Sequence, residues 1–344
     1  MTLNNVPNAT GFEVWLASPR GFCRGVEMAV DVVSRALELC GTPLYVKHAI
    51  VHNNAVIRDF EAQGVVFVDR VEDIPRGAYA VFSAHGSPPQ DFETARKRNI
   101  DVIDATCRLV GNVHNWARRF AQQGYSVVVI GHHGHPESRG ILGHIPPAQG
   151  HLIESIAEAQ TLQPAHPDKV ACVTQTTLSV DDTRHIRDLL RRRFPELKEP
   201  PNANSTICYA TDNRQAAVKA LAKKCDVVFV IGSEQSSNTN RLCEVARKHD
   251  ASAYRIDHAE EIDPRWLRGV RAVGVTSGAS APDFLVQEVL TFLRQHGALS
   301  VAPLDVVSED IAVFSLPPRL HEIAKEHGRA LENGRVQRQL GVKT

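Results

Sequence analysis

The sequence lacks a charge excess, a membrane-length apolar run and a signal-like start. Its 344 residues include 39 Lys and Arg against 39 Asp and Glu. This balance predicts no bulk attraction to nucleic acid or to an anionic membrane. No stretch approaches the ~18–20 consecutive apolar residues of a transmembrane helix. Met1 to Phe12 lack the basic region and apolar core of a signal peptide. We therefore expect a cytoplasmic protein with no nucleic-acid partner and no membrane partner.

The seven cysteines do not form a recognisable local pattern. An odd number cannot pair completely within one chain, and a reducing compartment disfavours disulfides. The sequence also has no C-x-x-C pair, which excludes the local spacings of zinc ribbons and ferredoxins. Any metal must therefore be bound by residues from distant segments. Four of the cysteines are expected to be small buried hydrophobes: Cys40, Cys172, Cys225 and Cys243.

The remaining three cysteines each lie where an apolar run gives way to a helical pattern. They are Cys23, Cys107 and Cys208, at intervals of 84 and 101 residues. In α/β proteins this junction, at the carboxyl end of a strand, is where ligands bind. The equivalent positions predict a shared ligand role for the three thiols.

Polar residues recur at matching distances after these cysteines. Each of these polar residues follows another apolar run. Counted from Cys23, Cys107 and Cys208 in turn, the first set lies 28 or 29 residues on and comprises His52, His135 and Ser236. The second set lies 62 to 72 residues on and comprises His85, Thr176 and Ser280. A repeat this long is a domain-sized βαβ unit. Strands that alternate with helices also imply parallel sheets with covered faces.

The repeat predicts an α/β fold of three pseudo-threefold-related units with mostly parallel sheets. We place the units at residues 13–106, 107–205 and 206–298, followed by a C-terminal extension and tail at 299–344. A charged helix is expected over Val180 to Arg193 in the second unit. The tail from Leu320 is polar and is expected to be solvated or frayed.

The ligand types point to a metal centre next to an anion site. Three thiolates without a fourth equivalent cysteine suit an iron–sulfur cluster that leaves one iron open to substrate. A zinc ion bound by the three cysteines and a histidine is the competing interpretation. Imidazoles, hydroxyls and amides at strand ends, near helix N-termini, can bind phosphate without a large net charge. Together they favour an anionic ligand.

The ordered motifs resemble the signature set of the LytB/IspH family, the 4-hydroxy-3-methylbut-2-enyl diphosphate reductases. The resemblance covers about Val14 to Leu316, and the departures are the lead before it and a long tail after Pro318. The motifs are Pro19-Arg20-Gly21-Phe22-Cys23, Val51-His52-Asn53, Ser83-Ala84-His85-Gly86, Asp104-Ala105-Thr106-Cys107, Gly134-His135-Pro136-Glu137, Thr174-Gln175-Thr176-Thr177, Ile207-Cys208-Tyr209-Ala210-Thr211, Ser236-Ser237-Asn238 and Gly278-Ala279-Ser280.

This resemblance implies a trefoil of three α/β domains around a central [4Fe–4S] cluster on Cys23, Cys107 and Cys208. The unique iron of the cluster would bind the terminal hydroxyl of the substrate. Two electrons and two protons would remove that hydroxyl as water, giving isopentenyl and dimethylallyl diphosphates at the last step of the non-mevalonate isoprenoid pathway. An external one-electron donor such as flavodoxin or ferredoxin would supply the electrons.

The resemblance also implies roles for individual side chains. Proton delivery would fall to Glu137 and Thr176. We expect Pro136 to keep His135 out of helical geometry and the loop around Glu137 open. The small-molecule diphosphate would be bound by His52, His85, His135, Ser236, Ser237, Asn238 and Ser280.

Two other functions are compatible with the three cysteines. A redox-neutral dehydratase on a similar trefoil, such as quinolinate synthase, would share them and need no electron donor. A non-catalytic iron–sulfur or zinc-binding regulator would also use them, but gives no reason for the anion-binding residues or Glu137. Dependence on a reductant tests the first alternative, and diphosphate binding tests the second.

Overall fold

Strands and helices alternate along the chain, as the repeat predicts. A computed structural model describes residues 11–201, 206–309, 311–329 and 331. Its strands are β1 (Phe12–Ser18), β2 (Leu44–Lys47), β3 (Val65–Val68), β4 (Tyr79–Phe82), β5 (Asp101–Asp104), β6 (Ser126–Ile130), β7 (Gly150–Ile153), β8 (Val170–Thr174), β9 (Val227–Ile231), β10 (Ser252–Ile256), β11 (Ala272–Ser277) and β12 (Ala298–Asp305). Its helices are α1 (Arg24–Cys40), α2 (Asn54–Ala62), α3 (Pro89–Lys97), α4 (Arg108–Gln122), α5 (Pro136–Gly143), α6 (Ile156–Thr161), α7 (Val180–Arg193), α8 (Tyr209–Lys224), α9 (Ser237–Lys248), α10 (Asp283–Gln295) and α11 (Pro318–Glu326).

The strands form three sheets in which every named pair runs parallel. The orders are β10-β9-β11-β1-β12, β3-β2-β4-β5 and β7-β6-β8. Parallel neighbours need a crossover connection, usually a helix, and most strands here are followed by one. The predicted α/β class with parallel sheets is confirmed.

The described residues divide into two compact units. Among the described residues, one unit draws on 11–22 and 213–309 and contains the five-stranded sheet; the other draws on 23–201, 206–212, 311–329 and 331 and contains the two smaller sheets. Each unit has its own apolar core: Val228, Val230 and Leu242 contribute to that of the first. In the second, Val127 and Ile141 lie in one of several clusters. The boundaries of the three predicted units stay a prediction.

The first strand lies in a different sheet from the one that its sequence position suggests. The sequence analysis placed β1 in the unit at 13–106, but it pairs with β11 on one side and β12 on the other. Val14 and Ala17 are fully buried there. The strand β12, assigned to the C-terminal extension, thereby becomes part of the same sheet. Apolar alternation predicts a strand but does not identify its partners, which explains the difference.

The helix α11 is packed rather than solvated, which corrects the expectation for the start of the tail. Leu320 and Ile323 are fully buried, because their spacing of three residues places them on one helix face. Arg319 donates to the Asp101 carboxylate at 2.8 Å, at the start of β5. Of the lead predicted over residues 1–12, residues 1–10 lie outside the described residues and Phe12 begins β1; the end of the tail at 332–344 also lies outside them. In the part of the chain that is described, no helix combines the length and apolar content needed to cross a bilayer.

The predicted site residues lie beyond the carboxyl ends of strands. Cys23 follows β1 and Cys107 follows β5. The other residues each follow a different strand: His52 follows β2, His85 follows β4, Glu137 follows β6, Thr176 follows β8, Ser236 follows β9 and Ser280 follows β11. Parallel strands within a sheet place their carboxyl ends at the same edge. Open α/β sheets bind ligands at that edge. Cys208 is the exception, since residues 206–207 form no strand and the cysteine directly precedes α8.

Candidate active site

Three cysteines in one compact unit each lie at the N-terminus of a helix. Cys23 and Cys107 occupy the N-cap positions of α1 and α4 without making a side-chain cap, and Cys208 precedes α8. The positive end of a helix dipole favours thiolates and other anions at this position. Burial, and secondarily the Cys23 thiol, raise the pKa of Cys107 to about 12 and that of Cys208 to about 11. A bound metal would have to displace these protons.

The three thiols are donors of the kind that iron–sulfur clusters use. Within the described ranges, no three Cys, His, Asp or Glu side chains lie close enough to hold one ion. A single zinc ion would need four ligands within about 2.0–2.3 Å. In an iron–sulfur cluster each cysteine binds a different iron atom, so the sulfurs stand further apart. The hydroxyl and amide of Thr211 lie 3.1 and 3.4 Å from Cys208 Sγ, as expected of groups that tune a cluster.

Gly25 leaves the space that one of the sulfurs occupies. A Cβ atom at this position, in the first turn of α1, would lie 2.6 Å from Cys107 Sγ and 3.9 Å from Cys23 Sγ. The glycine therefore allows cysteines from two segments to approach each other. The sequence analysis missed Gly25, because a glycine at a helix start gives no signal of what it faces.

Three imidazoles cluster in the same unit. The ring centroid of His52 lies 4.2 Å from that of His85 and 5.5 Å from that of His135, and the last two are 5.9 Å apart. Burial lowers the pKa of His52 to about 4 and of His135 to about 3, and lowers that of His85 well below its usual value. His135 Nδ1 accepts from the Glu137 amide at 3.1 Å, which places the imidazole proton on Nε2. Neutral rings of this kind can donate hydrogen bonds to an anion.

Glu137 is a buried carboxyl that can hold a proton at neutral pH. Its side chain is 2 % exposed, and Oε1 accepts from the Thr176 amide at 2.7 Å. Burial raises the pKa of Glu137 to about 7 although the Thr176 hydrogen bonds act in the opposite direction. A group with this pKa can give and take a proton near pH 7, as general acid–base catalysis requires.

The surroundings of Glu137 differ from the open loop expected around it. His135 is extended, with φ −66° and ψ 134°, as Pro136 predicts, but α5 begins at Pro136 itself. Glu137 therefore lies in the first turn of a helix. Proline is favoured at the first helical position, because its missing N–H would have no intrahelical partner there.

Backbone hydrogen bonds connect the cysteines to the acid–base and imidazole groups. The Cys107 amide donates to the Ala84 carbonyl at 3.0 Å, directly before His85, and the Cys208 amide donates to the Thr176 carbonyl at 3.0 Å. One compact unit thus brings together eight of the predicted residues: Cys23, Cys107, Cys208, His52, His85, His135, Glu137 and Thr176.

The other four predicted residues lie in the compact unit that contains the five-stranded sheet. Ser236 caps α9 by accepting from the Thr239 amide at 3.2 Å, and Ser280 Oγ lies 3.5 Å from Ser236 Oγ. Ser237 and Asn238 follow in the first turn of the same helix. Asn238 is 4 % exposed, and neither atom of its amide has a hydrogen-bond partner among the described residues. A buried amide without partners is costly, so this amide is a place where water or a ligand can bind.

Gln175 connects the two segments that contain Glu137 and Thr176. It is fully buried, and its Oε1 accepts from the His132 amide at 3.0 Å and from Ser138 Oγ at 3.2 Å. The sequence analysis assigned it no role, because the motif Thr174-Gln175-Thr176-Thr177 does not reveal which side chain turns inward.

Comparison with known proteins identifies a family. The family model for LytB protein matches residues 14–294. A protein of Acidothermus cellulolyticus named 4-hydroxy-3-methylbut-2-enyl diphosphate reductase is 50% identical over 319 residues, which cover 92% of this chain and 93% of that protein. A protein of Bordetella pertussis with the same name is 50% identical over 314 residues, which cover 91% and 95% of the two chains.

Solved structures give the same result. The E-1-hydroxy-2-methyl-but-2-enyl-4-diphosphate reductase from Plasmodium falciparum superposes with a TM-score of 0.87 and 34% identity, covering 93% of this chain and all of that chain. A second solved structure, (E)-4-hydroxy-3-methyl-but-2-enyl diphosphate reductase, gives a TM-score of 0.59 at 32% identity and covers 83% of this chain and 99% of that one. Since the family model spans most of the sequence and its relatives are half identical over almost the whole length, the chain belongs to the LytB protein family and is an oxidoreductase.

Proposed function

We propose that this protein is a 4-hydroxy-3-methylbut-2-enyl diphosphate reductase. The reaction would remove the allylic hydroxyl of the substrate with two electrons and two protons, releasing water and giving isopentenyl and dimethylallyl diphosphates. The observation that supports it best is the presence, in one compact unit, of three helix-terminal cysteines, three clustered imidazoles and one buried carboxyl. The names of the relatives support the choice of substrate.

We assign the cofactor site to Cys23, Cys107 and Cys208. A [4Fe–4S] cluster bound there would supply a Lewis acid and a route for single electrons. The protein contributes three sulfurs at three helix N-termini and no equivalent fourth cysteine, which leaves one iron open. An external one-electron donor such as flavodoxin or ferredoxin would deliver the electrons.

We assign diphosphate binding to His52, His85, His135, Ser236, Ser237, Asn238 and Ser280. An approaching diphosphate favours the protonated form of a nearby imidazole, which opposes the effect of burial. Charge-assisted hydrogen bonds are worth about 1.5–3 kcal/mol each. The side-chain amide of Asn238 has no partner among the described residues. Its Nδ2 would donate a hydrogen bond to the diphosphate, and its Oδ1 would accept one from a group beside the substrate.

We assign proton delivery to Glu137, with Thr176 as its partner. A carboxylate is a poor phosphate ligand, because two anions repel each other strongly at low dielectric. The raised pKa of Glu137 instead keeps a proton available for the departing hydroxyl. The Thr176 amide holds the carboxyl at 2.7 Å and so restricts its orientation.

The proposal is tested by anaerobic purification followed by iron and sulfide analysis, visible absorption and an assay with the diphosphate substrate. We expect iron and sulfide in the protein, and conversion of substrate to the two products only when a reductant is present. Turnover without reductant would indicate the redox-neutral dehydratase, and a protein that binds iron but neither binds nor converts the diphosphate would indicate the regulator.

A further inference from the structure

His114 is a buried residue of α4 that lies behind the candidate active site. It is 6 % exposed, and its ring stacks on that of His144 with the centroids 4.3 Å apart. Burial lowers the pKa of His114 to about 3, so the ring is neutral. Its Nε2 atom has no hydrogen-bond partner among the described residues. Packing, rather than charge or a hydrogen bond from that nitrogen, therefore determines where the ring lies.

One edge of this imidazole occupies the side-chain space of two glycines. A Cβ atom on Gly86 would lie 2.4 Å from His114 Cε1 and 3.0 Å from Nε2. A Cβ atom on Gly140 would lie 3.2 Å from the same nitrogen. Gly86 directly follows His85, and Gly140 is three residues beyond Glu137 on α5. A Cβ atom on Gly140 would also lie 3.3 Å from the Gly86 carbonyl oxygen, so the two segments touch and the same ring packs against both of them.

The stacked partner links the ring to α5 a second time. His144 Nδ1 donates to the Gly140 carbonyl at 2.8 Å, since a carbonyl can only accept. The Gly140 backbone is therefore held by one histidine and packed against the other. His114 and His144 together pack against the place where Gly86 meets Gly140 of α5.

We propose that His114 is a positioning residue that sets the distance between His85 and Glu137 through Gly86 and Gly140. This inference rests on the proposed function, because it concerns the geometry of the proposed substrate ligand and proton donor. Removing the ring would let the two segments move together or apart. Displacements of about 1 Å at a catalytic centre can cost 10²-fold in rate.

The test compares His114→Ala with Val113→Ala in the iron-loaded enzyme. Val113 is the neighbouring residue on α4, is also buried and packs in a core cluster, and it is not among the nearest neighbours of a Cβ on Gly86 or Gly140. We expect His114→Ala to lower kcat at least ~10-fold with KM changed less than about threefold. Val113→Ala should lower Tm by a comparable amount and leave kcat near that of the wild type. Equal kcat losses in the two variants, or a normal kcat in His114→Ala, would overturn the proposal.

Two further variants separate positioning from loss of folding. His114→Phe keeps a ring of similar size and should retain most of kcat. The double variant His114→Ala/Gly140→Ala places a methyl group in the vacated space and should recover part of the loss seen in His114→Ala. No recovery in either variant would contradict the proposal. A wild-type enzyme without activity on the diphosphate would instead contradict the proposed function.

Discussion

At the scale of single residues, the proposed proton donor is Glu137, a carboxyl whose pKa is raised by burial. Glu137→Gln keeps the size and hydrogen bonding of the side chain but removes the proton that titrates with a pKa of about 7. We expect turnover to fall by at least the ~10²-fold typical of a lost general acid. Iron content and substrate binding should be unchanged. Near-normal turnover would mean that Glu137 only orients its neighbours. The proton would then have to come from Thr176 or from the substrate's own diphosphate.

The same carboxyl makes the stability of the protein depend on pH. The folded pKa of about 7 lies above the ordinary 4.5, so the folded state binds more protons than the unfolded state between these values. The stability from this group is complete below about pH 4.5 and is lost as the pH rises through about 7. At 1.36 kcal/mol per pKa unit the loss amounts to roughly 3 kcal/mol.

Urea unfolding of wild type and Glu137→Gln from pH 5 to 8, in the same metal state, measures this loss. We expect the free energy of unfolding of the variant to change less over the range. Parallel pH profiles for the two proteins would show that Glu137 titrates normally in the folded state.

At the scale of elements, the helix N-termini of α1, α4 and α8 present the three cysteines. Serine at Cys23, Cys107 or Cys208 should abolish activity and deplete iron, because a hydroxyl is a poor replacement for a thiolate ligand. Serine at the buried Cys172 or Cys243, which lie in a strand and a helix of the cores, should leave the cluster intact. Iron content per protein and visible absorption measure the difference. If the Cys172 and Cys243 variants lost as much iron as the Cys23, Cys107 and Cys208 variants, the assignment of the three cluster ligands would be wrong.

The close packing of α1 against the start of α4 provides a sharper test. Gly25→Ala adds a methyl group 2.6 Å from Cys107 Sγ, so the sulfur or the helix must move. We expect most of the iron to be lost while the fold remains. Gly111→Ala is the matched control, because nothing lies within 4 Å of its Cβ and alanine favours the helix by about 0.5–1 kcal/mol. Full iron occupancy in Gly25→Ala would show that the three thiols do not converge as proposed.

At the scale of the whole molecule, the proposed diphosphate ligands come from segments that are far apart in the sequence. Alanine at His52 or at Asn238 should each weaken substrate binding by about 10- to 100-fold, as the loss of one charge-assisted hydrogen bond predicts. The exposed residues His296 and Asn115 provide control substitutions of the same types. Equilibrium binding to the iron-loaded enzyme measures the effect. A normal Kd in either variant would exclude that residue from the diphosphate site.

Local sequence patterns determined much of the fold and the choice of chemistry. The charged helix predicted over Val180 to Arg193 has the bounds found for α7, and the apolar runs before Cys23 and Cys107 form strands, whereas the run before Cys208 does not. The positions of Cys23 and Cys107 after strands follow from the same patterns, because the apolar period and turn residues depend only on neighbouring residues. The recurrence of these junctions was sufficient to predict an α/β protein with three metal-binding thiols.

Only the tertiary structure decided which distant segments meet. The pairing of β1 with β11 and β12 depends on parallel contacts between residues more than 250 positions apart, and the apolar pattern of β1 contains no information about its partners. The pKa of Glu137 depends on burial by residues that are remote in sequence. The spaces at Gly25, Gly86 and Gly140 are likewise defined by a cysteine and a histidine from other segments. Side-chain type and spacing determined what chemistry is available, whereas packing decided which groups share a site and how strongly each holds its proton.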